Sequence, residues 1–179
     1  MRHTRLLCIA AGILISQAGA LSTLAAAKVD QTIRAFSVWH ADSKLGAGEA
    51  GTQVFDGTVN GPFYVDTEKG PVNSGTISCK ARLTIKDADK TQQGRADCVI
   101  TAKDGATVQG RINCHGVFQV GCRGRIELTD GTGRFQGIQG GGAVVIRSDF
   151  ADLQSQGTAN PASLQSGLMY FPAMRYQLP

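Results

Sequence analysis

Residues 131–142 read GTGRFQGIQGGG, and half of them are glycine. Residues 122–129, CRGRIELT, precede the block, with Cys122, Gly124, Ile126 and Leu128 alternating against Arg123, Arg125 and Glu127. Residues 143–150, AVVIRSDF, follow it. Alternation with a period of two predicts a half-buried strand before the block, and the apolar run after it predicts a second. The chain between them must turn sharply and pass close to its neighbours, which glycine permits and other residues resist. Phe135 and Ile138 are spaced by one helical turn. The block is therefore expected to form a short 3₁₀ or α turn over 132–138, built on Gly131, Gly133 and Gly137. Phe135 and Ile138 would then dip into the core and plug one end of a β-barrel.

Residues 1–27 have the layout of a secretory signal peptide: Arg2 and Arg5, an apolar run over 6–15, and Ala25-Ala26-Ala27 before Lys28. An apolar run of about ten residues is half of what a bilayer-spanning helix needs. Cys8 lies near the start of that run and not after it, which is the wrong place for a lipoprotein cysteine. The expected mature chain, 28–179, is one domain, exported to a periplasm or secreted, with no transmembrane segment. Losing two arginines takes the formal charge from +4 to +2. With no lysine-rich tail or aromatic-basic module, nucleic acid is not an expected partner.

Cys79, Cys98, Cys114 and Cys122 lie beyond the leader. An even count in an exported chain points to disulfides, and four cysteines allow three connectivities. No Cys-x₂-Cys spacing supports zinc. Strand register chooses between the connectivities if the strands form a meander. Over 78–86, Cys79, Ala81, Leu83 and Ile85 alternate with Lys80, Arg82, Thr84 and Lys86. Residues 87–90 read as a turn, so Cys79 opposing Cys98 places Ala81 against Ala96 and Leu83 against Gly94. Asp104-Gly105 marks the next hairpin. Cys114 opposing Cys122 would then set Ile112 against Gly124, Gly110 against Ile126 and Val108 against Leu128. The expected bridges are Cys79–Cys98 and Cys114–Cys122.

Further strands are expected over 33–39, 53–65 and 168–178. Asn60-Gly61-Pro62 is either a turn or a bulge, and Pro172 marks an edge, a bulge or a kink. Residues 152–166 read as a polar excursion. The count of seven to nine strands makes the chain all-β, a single antiparallel β-barrel of about eight strands.

The glycine block with its flanking strands resembles the Gly-Thr-Gly-x-Phe-x-Gly signature of the allene oxide cyclase and dirigent proteins. It is more similar still to uncharacterised exported bacterial proteins that share the cysteine-bearing strands and the ending Phe171-Pro172 … Tyr176-Gln177-Leu178-Pro179. The resemblance covers roughly 79–148 and the tail. It implies an eight-stranded barrel with a hydrophobic cavity, and transfers no catalytic residue to this chain.

GxGxxxG is not a dinucleotide fingerprint, no P-loop occurs, and no cofactor is expected. His40, beside Trp39 and two before Asp42, reads first as polar strand-end packing and second as half of an acid–base pair. His115 is expected at the surface. Lys80, Arg82, Arg95, Arg111, Arg123 and Arg125 share the outward face. The expected registers would oppose Arg82 to Arg95 and Arg111 to Arg125, relieved either by Asp97 and Glu127 or by an anionic partner. The leading expectation is a non-enzymatic exported barrel that binds a small apolar ligand or serves as an assembly module. The alternative is a cyclase- or dirigent-like protein steering a reactive lipid or phenolic intermediate. Homo-oligomerisation is left open.

Overall fold

The computed structural model describes residues 29–118, 120–149 and 165–179. The expected leader, and residues 150–164 of the region containing the polar excursion, lie outside them. Eight strands follow in chain order: β1 Val29–Ala47, β2 Thr52–Thr67, β3 Gly70–Lys86, β4 Thr91–Ala102, β5 Thr107–Val117, β6 Gly121–Gly131, β7 Gln139–Asp149 and β8 Gln165–Leu178. Each pairs antiparallel with the next, and β8 pairs with β1 to close the barrel.

The faces follow from alternation. On β3, Ile77, Cys79 and Ile85 are buried while Lys80, Arg82 and Lys86 are exposed, and β4 to β6 repeat the pattern. Inside, Phe63 and Phe171 lie tilted with ring centroids 6.0 Å apart, among Ile77, Ile100, Val144 and Met174. Two turns form where side chains satisfy the chain's own N–H groups. Asp89 accepts from the Thr91 amide at 2.9 Å, and Asp104 from the Ala106 amide at 3.1 Å.

A closed sheet has no edge strand on which to place a proline. Asn60-Gly61-Pro62 is accordingly neither a turn nor an edge: β2 runs straight through it, and the β1–β2 ladder skips between Ser37↔Phe63 and His40↔Asn60. Pro172 sits at a bulge, where the β1–β8 register shifts between Ile33 and Ala35.

Cys79 opposes Cys98 directly, with Cα atoms 4.0 Å apart and the sulfurs bonded. Ala81↔Ala96, Arg82↔Arg95 and Leu83↔Gly94 also follow the expected register. The β5–β6 register does not. Cys114 opposes Gly124 and Cys122 opposes Gly116, so Ile112 meets Ile126 and Gly110 meets Leu128. The Cys114–Cys122 bridge is therefore diagonal, with Cα atoms 5.6 Å apart. A register slip of two residues leaves every side chain on its original face, so alternation cannot detect it. A bulge between Gln109 and Gly110 adds one more residue to the offset and sets Val108 against Gly131 instead of Leu128. The Arg111–Arg125 opposition is withdrawn: Arg111 faces Glu127, and Arg125 faces Asn113.

At one end of the barrel, a 3₁₀ turn at Gly133–Phe135 follows β6. Gly133 and Gly137 adopt φ of 58° and 75°, the left-handed region that glycine occupies without strain. Ile138 is buried, whereas Phe135 is only half-buried, with the Arg134 guanidinium 4.7 Å above its ring. Arg134 also pairs with Asp104 at 2.7 Å, and the Thr132 amide donates to Thr107, tying the turn to the β4–β5 hairpin.

Gly124 tests the diagonal register. A β-carbon there would strike the backbone of Asn113 and Cys114, whereas at Gly46 it would meet nothing within 4 Å. Gly124→Ala is expected to lower stability by about 1–3 kcal/mol or more. Gly46→Ala should stay within about 0.5 kcal/mol. Chemical denaturation of both variants checks this. In the direct register, where Ile112 and not Cys114 opposes Gly124, the large difference is not required. Replacing Cys114 and Cys122 together with serine should lower the melting temperature but leave the barrel formed, because Ile112↔Ile126 pairing persists. The loss expected from such a bridge is about 2–4 kcal/mol, measured by calorimetry beside a circular dichroism spectrum.

Candidate functional site

The end opposite the 3₁₀ turn is not filled. On β3 and β4 the inward positions there carry Ala81, Gly94 and Ala96. Phe55, Leu83, Ile112 and Met169 stand around them, but small side chains on two adjacent strands leave a gap that their neighbours do not close. The result is a partly open chamber of about 90 Å³. Trp39 and Gln92 complete its wall, with Ser148 from β7.

The chamber's lining is apolar apart from a few groups, and two of those groups are unusual. Trp39 is 4 % exposed and Gln92 6 %. Trp39 Nε1, a donor, and Gln92 Oε1, an acceptor, are buried without a hydrogen-bond partner; so is Ser37 Oγ, two residues before Trp39 on β1. An unsatisfied buried polar atom costs about 1–3 kcal/mol, and native proteins keep few of them. Gly167 lets the indole approach β8 closely, since a β-carbon there would sit 2.6 Å from the Trp39 ring.

Most residues singled out from sequence fall elsewhere, although Arg82 and Arg95 also border the chamber. Cys79, Cys114 and Cys122 line the chamber, but as disulfide sulfurs. Gly131, Gly133, Phe135, Gly137 and Ile138 form the opposite end. His40 and Asp42 point outward on β1, and His115 points outward on β5. Lys80, Arg82, Arg95, Arg111, Arg123 and Arg125 are all exposed on the outer wall. Among the described residues three ionisable groups are moved from their usual values, and none lines the chamber. The Thr91 hydroxyl bonded to Asp89 holds its carboxyl low, Asp30 holds Arg175 high, and burial pushes the Tyr176 hydroxyl up. Among the described residues, no group of His, Cys, Asp and Glu could hold a metal ion.

Sequence reasoning did not single out Gln92, although the signal was present. It occupies the inward phase of β4 that Ala96, Cys98 and Ile100 define, a polar residue where apolar ones are expected.

No family model matches the chain, and no curated protein matches it. Among solved structures it is similar to a pterocarpan synthase dirigent protein, at 12 % identity over 98 % of each chain, with a TM-score of 0.42. Among the described residues, no helix is long and apolar enough to cross a membrane.

Gln92→Met keeps the side-chain length and removes the orphaned acceptor. It is expected to raise stability by about 1 kcal/mol, a rise of about 2–4 °C in melting temperature for a domain of this size. A fall would mean that the oxygen has a partner in solution.

Proposed function

We propose that this is a small exported barrel that binds a mainly apolar molecule in the chamber at the β3–β4 end, rather than transforming it. The observation that carries the reading is the apolar chamber with an unpartnered donor, Trp39 Nε1, and an unpartnered acceptor, Gln92 Oε1, in the residues of its wall. Ligand sites have this character: a concave apolar surface and very few polar groups that fix orientation. Apart from the disulfide cysteines, the ionisable residues in the lining are Arg82 and Arg95, which carry no acid–base pair. An engineered apolar cavity of about 150 Å³ holds benzene. The chamber of about 90 Å³ is smaller, so it suits the apolar end of a longer molecule whose remainder leaves through the open side. Export is supported by the leader-like residues 1–27 and by two disulfides, which persist in oxidising compartments.

Trp39 is the sole tryptophan of the chain and lies in the chamber wall, so the site has its own reporter. Protein stripped of bound material is titrated with toluene and with n-hexanol, following tryptophan emission and melting temperature together. Both should respond saturably, with stabilisation of about 2.7 kcal/mol at a ligand concentration one hundred times Kd. Ala96→Leu, which fills the chamber, should abolish the response while the barrel persists. The absence of a saturable response to either probe sinks the reading. Accelerated loss of an unstable phenolic or lipid substrate over its spontaneous decay would replace binding with steering.

A further inference from the structure

The outer wall formed by β3 to β6 differs in charge from the rest of the barrel. Its central outward positions carry Lys80, Arg82, Arg95, Arg111, Arg123 and Arg125 against two acids, Asp97 and Glu127. Four cations elsewhere are matched: Arg34 pairs with Asp66, Lys90 with Asp87, Arg134 with Asp104 and Arg175 with Asp30. Lys69, Lys86, Lys103 and Arg147 are more widely spaced and make no ion pair among the described residues. On the wall, Arg111 alone has a carboxylate within ion-pair distance among the described residues, Asp97 at 3.1 Å. Arg95 donates to the Asn113 amide oxygen at 3.2 Å. Arg82 lies directly opposite Arg95, and Arg123 opposite His115. Like charges in direct cross-strand opposition weaken pairing; Arg82 has Asp56 of β2 on its other side, whereas Arg95 lies between Arg82 and Asn113.

Some of these groups line a depression in the outer wall. Its volume is about 640 Å³, far larger than the interior chamber; Lys80, Arg82, Arg95 and His115 stand around it with the two acids Asp56 and Asp97. Arg82, Arg95, Asn113 and Arg125 lie in one row across four adjacent strands. With strands about 4.8 Å apart, the row extends about 14 Å around the barrel.

We infer that this wall binds an acidic polysaccharide along the Arg82–Arg95–Arg125 row. Guanidinium groups match carboxylate and sulfate oxygens in a two-pronged geometry. The row presents them at intervals along a line, as a linear polyanion presents its charges. Asn113 stands between Arg95 and Arg125, and Thr84 and Gln93 lie in the adjacent row; they supply amide and hydroxyl groups suited to sugar hydroxyls. Other polyanions fit less well. The depression is lined by no Phe, Tyr or Trp on which nucleic-acid bases would stack. It also offers no large apolar side chain for insertion among lipids, and a convex wall meets a flat bilayer along a strip rather than along a row that follows the curvature.

The test measures binding of the mature protein to heparin oligosaccharides and to oligogalacturonate. Neutral dextran, phosphatidylglycerol vesicles and a mixed-sequence single-stranded oligonucleotide serve as comparisons. Saturable binding to at least one acidic glycan, weakening as salt rises, is expected, with none to dextran. Replacing Arg82, Arg95 and Arg125 together with glutamine should weaken that binding tenfold or more. Replacing the ion-paired Arg34, Arg134 and Arg175 with glutamine removes the same charge elsewhere and should change it less than twofold. The first triple variant should unfold at the same or a higher temperature than the parent, because it removes the Arg82–Arg95 opposition. Equal losses in both variants would reduce the effect to net charge and overturn the inference. So would failure to bind either glycan, or tighter binding to vesicles or to the oligonucleotide.

Discussion

Pairing of β8 with β1 is the constraint on which the rest of the molecule depends. From Val29↔Leu178 to Ala41↔Gln165 the last strand is joined to the first, with one bulge near Pro172. Once the sheet is closed, every backbone ladder has a partner and the interior becomes a fixed volume. Each inward side chain then competes for the same space. Phe63 and Phe171 fill one level, while Ala81, Gly94 and Ala96 leave another unfilled. Three prolines lie in paired strands: Pro62 and Pro172 occupy a gap or bulge where the missing N–H is not required, and Pro71 is the second residue of β3.

The disulfides depend on the same economy of space. Cys79 and Cys98 are directly opposed. The second bridge crosses diagonally because glycines stand where direct partners would be: Gly124 faces Cys114, Gly116 faces Cys122, and Gly94 approaches Cys114 from the other side. The sulfurs occupy the volume that those glycines leave. The two bridges fasten β3 to β4 and β5 to β6, the strands that also carry the cationic wall. Its arginines are thus presented on the most heavily stapled part of the barrel, where like charges are held together despite their repulsion.

The two faces of the same strands differ in chemistry, although Arg82 and Arg95 border both the chamber and the outer depression. Trp39, Gln92 and the chamber lie on inward positions. The arginine row occupies the outward positions of neighbouring residues, so Arg82 is one residue from Leu83 and Arg95 one from Ala96. A two-residue period allows one strand to serve both faces without compromise. An apolar chamber and a cationic wall can therefore coexist in one small domain.

The sequence by itself determined the strand faces, the turn at Gly133–Phe135, the all-antiparallel barrel and the pairs of cysteines brought together. Alternation and turn chemistry are local, and a closed meander preserves them. Only the tertiary structure decided the β5–β6 register, because a slip of two residues keeps every face and changes every partner. That slip moved Arg111 from Arg125 to Glu127. The tertiary structure also decided how far the plug enters: Ile138 is buried, but Phe135 stays half-buried beneath Arg134. The chamber was likewise beyond the sequence. Ala81, Gly94, Ala96 and Gln92 are far from Trp39 along the chain, and the space between them exists only when the sheet closes and no larger side chain from another strand reaches it.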